Sequence, residues 1–171
     1  GFPEDNATSL EVALPAKLQP GVSVTLELHY HLKLPARKGR WGQWEGITTL
    51  AQWIPVVAVH DDTKGWQPVP FVPWHQPFYN EAGHYSVNVT LPCEQKLAAS
   101  ASAVKEIDLG SGWKRIEHQP VCVRDFALIC SANFEERLAE ADGVKIRCLS
   151  LPEHAFYSKA LVEAAAQAIP V

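Results

Sequence analysis

The 171 residues carry a net charge of −4, with 47% hydrophobic and 20% charged side chains; this is the balance of an ordinary globular chain and excludes a disordered one. No Lys/Arg-rich run leaves the footprint of a nucleic-acid binder. No apolar run reaches the roughly 18 residues that span a bilayer as a helix.

In chain order, the first hundred or so residues read as short strands between Pro and Gly turns. Leu10 to Leu14 ends at Pro15, and Gln19-Pro20-Gly21 makes a turn. Val22, Val24, Leu26, Leu28, Tyr30, Leu32 and Leu34 then alternate with Ser23, Thr25, Glu27, His29, His31 and Lys33. A period of two over this length predicts a long strand with one buried and one wet face. Residues 37–42 predict a loop. Two apolar runs follow, Ile47 to Trp53 and Pro55 to Val59, before Asp61-Asp62-Thr63-Lys64-Gly65 reverses the chain. Trp66 to Phe71 predicts a proline-interrupted edge segment. Tyr85, Val87, Val89 and Leu91 alternate again as far as Pro92. This spacing predicts a mainly β fold built as an antiparallel sandwich.

The pattern changes near Pro120. Val121 to Cys130 predicts one strand buried on both faces, with Cys122 and Cys130 in the core. At about 3.3 Å per residue those thiols stand roughly 26 Å apart, too far to pair. Cys93, Cys122, Cys130 and Cys148 show no Cys-x-x-Cys spacing, so buried free thiols are expected, which favours a reducing, cytoplasmic setting. Gly143 to Leu149 predicts another strand. Glu153 to about Ile169 predicts the one helix, with Phe156, Ala160, Leu161, Ala164, Ala165, Ala168 and Ile169 at helical spacing behind Pro152. Methionine is absent and the first residues are Gly1-Phe2-Pro3, so a piece of a longer polypeptide is expected.

Several segments, in order, resemble the aminopeptidase N-like (gluzincin) family of zinc metallopeptidases. Gln52-Trp53-Ile54-Pro55, then Val59-His60-Asp61-Asp62 and Gly65-Trp66, look like a strand pair and turn of that family's N-terminal domain. Pro77-Phe78-Tyr79 and Gly83 to Pro92 are similar to its next strand, and Ala98-Ala99-Ser100 to the one after. Arg124-Asp125-Phe126-Ala127-Leu128, Gly143-Val144-Lys145-Ile146 and the Ala-rich helix resemble the start of the peptidase domain. One departure is Gln76-Pro77, where many relatives have Gly-Glu, so no role for that acidic position carries over. The resemblance implies that residues 1–120 are the later part of the N-terminal β-sandwich domain. It implies that residues 121–171 are the first strands and helix of a thermolysin-like domain. It also implies a parent hydrolase that removes N-terminal residues from peptides, and places Gln52 where the family has a Gln that reaches the substrate's free amine. Partners would be the remainder of the same polypeptide and, through it, a peptide substrate, with no nucleic acid and no membrane segment in this chain.

The family's zinc is held by His-Glu-x-x-His and a later Glu, the two histidines one helical turn apart. Here His29, His31, His60, His75, His84, His118 and His154 include no pair four apart, and none precedes Glu. No catalytic residue, metal ligand or cofactor is therefore assigned to this chain; zinc is expected only in the parent, and the chain alone should be inactive. His29 and His31 share one strand face, and His60-Asp61-Asp62 offers ligand atoms, but solvated histidines and a turn account for both more simply. Ser100 and Ser102 lack a nucleophile elbow. Trp41, Trp44 and Trp74 lie in loop-like stretches, where packing against a neighbouring domain is preferred over stacking on a ligand. Two alternatives stay open: a stand-alone sandwich module binding carbohydrate or protein, and a catalytically dead scaffold relative.

Overall fold

The computed structural model describes residues 8–68, 70 and 80–169. Among them the expected class holds: the protein is mainly β, its sheets are antiparallel, and one helix closes the order of elements. Two compact units form, one from residues 1–33 and 55–82, the other from 34–54 and 83–171.

In the first unit the described strands are β1 (Val59–Asp61) and β2 (Gly65–Gln67), an antiparallel hairpin with His60 opposite Trp66. Asp61 shapes its turn: Oδ1 accepts from the Thr63 amide at 2.9 Å, the Thr63 hydroxyl at 2.5 Å and the Lys64 amide at 2.8 Å. This is the Asx chemistry expected of the Asp61–Gly65 cluster. The long strand expected from Val22 to Leu34 does not form, nor does the one at Leu10–Leu14. Those residues pair with no strand among the described residues, and both parities of the alternation face solvent, with Val22, Leu26 and Leu28 56%, 50% and 47% exposed. Alternation marks a face to bury, but a ladder also needs a partner for its N–H and C=O groups.

The second unit holds the core. Its first two strands, β3 (Trp41–Trp44) and β4 (Ile47–Leu50), precede β1 and β2 in the chain and form a hairpin closed by Glu45 and Gly46, both at positive φ. β5 is Gly83–Tyr85, β6 Asn88–Pro92, β7 Lys96–Ala99, β8 Ala103–Gly110 and β9 Trp113–His118. β10 is Val121–Val123, β11 Leu128–Ser131, β12 Glu135–Ala141 and β13 Val144–Ser150. A 3-10 turn at Pro152–His154 leads into α1, Ala155–Ala168. Gly42 in β3 is obligatory, because a Cβ there would stand 2.5 Å from the Arg37 carbonyl oxygen.

One sheet runs β3-β4-β11-β7 and another β6-β9-β8. Leu97 and Leu128 from the first, Leu91 and Ile116 from the second, and Phe126 between strands fill one buried cluster. Side chains of two sheets sharing a core is sandwich packing. The alternation at Tyr85, Val87, Val89 and Leu91 is fulfilled, with all four turned toward that cluster. β12 and β13 form a hairpin that packs on α1 and is tied to β7 through Arg147, whose guanidinium donates to the Leu97 carbonyl at 2.7 Å and to Glu136 at 3.0 Å.

Two expectations need correction. Val121 to Cys130 is not one strand: β10 pairs with β5, the chain leaves the ladder at Arg124–Ala127, and β11 pairs with β4 and β7. Consequently Cys122 is exposed rather than in the core, whereas Cys130 is half-buried. On α1, the packed face is Ala155, Ser158, Val162, Ala165 and Ile169. Phe156 and Leu161, expected on it, are 78% and 64% exposed.

Candidate functional site

The break between β10 and β11 is where the polypeptide meets itself across the longest sequence distance that bears on Gln52. Gln52 lies two residues past the end of β4 and takes a left-handed conformation, φ 56°. A non-glycine side chain in that region costs about 1–2 kcal/mol, so something must hold it. The Gln52 amide donates to Asp125 Oδ2 at 2.7 Å. One residue on, the Trp53 indole Nε1 donates to the Phe126 carbonyl at 2.9 Å. Two consecutive residues of one segment therefore dock on two consecutive residues of the other. Only the second contact engages the main chain of the break: the Phe126 carbonyl accepts from the Trp53 indole instead of from a neighbouring strand, whereas Asp125 bonds through its side chain.

Phe126 anchors the arrangement from below. Its ring is fully buried, in the core cluster with Leu91, Leu97, Ile116 and Leu128, and meets His118 edge-on at 5.3 Å between centroids. Ser100, just past β7, clamps the other side of the break: its amide donates to the Ala127 carbonyl and its hydroxyl accepts from the Ala127 amide, each at 2.9 Å. Tyr85 feels the corner too; burial first, and then the negative charge of Asp125, push its phenol pKa up. Above this base the Gln52 side chain is exposed. The result is a carboxamide on a rigidly tied backbone, with donor and acceptor atoms free to meet a ligand.

The other singled-out residues do not join it. His29 Nε2 stands 2.9 Å from Glu27, both exposed, and His60 lies edge-on to Trp66 and 3.9 Å from Asp62. Among the described residues no three His, Cys, Asp or Glu side chains gather as a metal-holding group. Trp41 is half-buried with its indole nitrogen enclosed, while Trp44 is exposed beside Lys38. Trp74, His75, Gln76, Phe78, Tyr79 and the end of the Trp66–Phe71 segment lie outside the described residues. Asp125 was absent from the sequence-level candidates; the signal for it was present, as a charged pair, Arg124-Asp125, inside a run otherwise apolar enough for a core strand.

No family model matches the chain, and a search of curated proteins finds no match. None of the described helices is long and apolar enough to cross a membrane.

Proposed function

We propose that this chain is one wall of the substrate cleft of a zinc-dependent aminopeptidase, and that Gln52 is its contribution to holding the peptide. The observation that carries the reading is the Gln52 corner: an exposed carboxamide on a strained backbone, fixed by Asp125 and Trp53. Strain of this kind persists where surrounding structure over-determines it, and it concentrates at ligand-holding positions. A carboxamide oxygen is suited to accept hydrogen bonds from a protonated amine, the group that distinguishes the end of a peptide from its middle. The resemblance supplies the substrate class, and the corner supplies a residue able to recognise it.

Zinc does not fit the residues described here, which offer no cluster of ligands. Its ligands would come from elsewhere in the parent polypeptide, together with the groups that cut the bond. Among the described residues, the Val22–Leu32 alternation and the Phe156 and Leu161 face of α1 are exposed apolar surface of the kind that suits contact with a further part of a parent polypeptide. The assignment is tested by expressing the full open reading frame and assaying release of N-terminal residues from short peptides. Activity that is abolished by a chelator and restored by zinc, with the 171-residue chain inert, is expected; a full-length product with no such activity would refute the assignment.

A further inference from the structure

We infer that Asp125 is a positioning residue for Gln52: it touches no substrate, but holds the Gln52 backbone in the left-handed conformation from which the carboxamide meets the substrate amine. The inference rests on the proposed aminopeptidase reading and adds to it a residue 73 positions away in sequence. Its warrant is the single 2.7 Å hydrogen bond from the Gln52 amide to Asp125 Oδ2, acting on a residue at φ 56°. A charge-assisted bond of this length is about twice as strong as a neutral one, enough to offset the left-handed backbone. Asp125 is itself fixed, because Phe126 beside it is fully buried and Ala127 is doubly bonded to Ser100. Remove the carboxylate and Gln52 returns to negative φ, which swings its side chain to the other side of the backbone.

The experiment uses the full polypeptide and an aminoacyl-4-nitroanilide substrate. Asp125→Ala should raise KM about tenfold, the scale of one lost charge-assisted hydrogen bond, with kcat little changed. Asp125→Asn, which keeps an acceptor oxygen, should recover most of the loss. In a Gln52→Gly background, which adopts positive φ unaided and has no carboxamide, Asp125→Ala should add nothing to KM. Crystal structures of the wild type and Asp125→Ala give the second readout, with φ of residue 52 positive in the first and negative in the second. If Gln52→Ala raises KM and Asp125→Ala does not, or if residue 52 stays at positive φ without the carboxylate, the positioning role is wrong and the cleft assignment stands. If Gln52→Ala leaves KM unchanged, Gln52 makes no substrate contact, and both fall.

Discussion

Two stretches of this protein carry the same alternation and meet different fates. Tyr85, Val87, Val89 and Leu91 turn inward beside β9 and β10 and help to close a core. Val22, Val24, Leu26, Leu28, Tyr30 and Leu32 repeat the pattern with greater regularity, yet they join no strand pair among the described residues and stay half exposed. The difference lies in partners, not in side chains. Asn88–Pro92 has Trp113–His118 to complete its ladder, whereas residues 22–34 have no strand to accept theirs among the described residues. A period of two therefore states a requirement for a sheet; it does not supply one.

Substitutions should separate these regions sharply, and the core should respond most. Phe126→Ala removes the one fully buried aromatic ring among the described residues, and should cost about 3–5 kcal/mol in a denaturant titration. Trp53→Phe keeps the ring but leaves the Phe126 carbonyl without its donor, and about 1–3 kcal/mol should be lost. Gln52→Gly should move stability the other way, by up to about 1 kcal/mol, because glycine adopts positive φ without penalty. A drop in its melting temperature would mean that the corner stores no strain.

Acid offers a further contrast. Burial lowers the pKa of His118, which sits in the core with Nδ1 unpartnered. Its proton therefore binds the unfolded chain more readily, so this site is neutral to stability above about pH 6.5 and destabilises the fold as pH falls below that value. Unfolding midpoints measured from pH 7.5 down to 5.5 should fall, and the slope should flatten in His118→Gln; an unchanged slope would place the titration elsewhere. The smallest effect on folding belongs to the unpartnered alternation. Leu26→Ser with Leu28→Ser should change the stability of this chain by less than about 0.5 kcal/mol. The same pair should reduce self-association in sedimentation, since contiguous exposed apolar side chains promote association.

Much of the fold was legible because some elements carry their own evidence. The Asp61–Gly65 turn, the 85–91 alternation, the strand at 144–150 and the helix behind Pro152 all formed. β8 and β9 were missed: Lys105-Glu106-Ile107-Asp108 and Lys114-Arg115-Ile116-Glu117 place a single apolar residue among charges, and pair through a ladder with two irregularities. The inward face of the helix was read only in part: Ala165 and Ile169 pack as expected, but Ser158 and Val162 are buried where Phe156 and Leu161 were expected. Gln52 was singled out from the resemblance alone. Its left-handed conformation and its bond to Asp125 involve a contact that no local pattern encodes.

Recognition of a peptide's free amine by Gln52 is the central proposal for this protein. The most direct test is the KM of the full polypeptide for an aminoacyl-4-nitroanilide, compared between wild type and Gln52→Ala. A rise of about tenfold or more in KM, with kcat falling far less, is expected for a lost contact to a charged group. Equal KM values in the two proteins would contradict it.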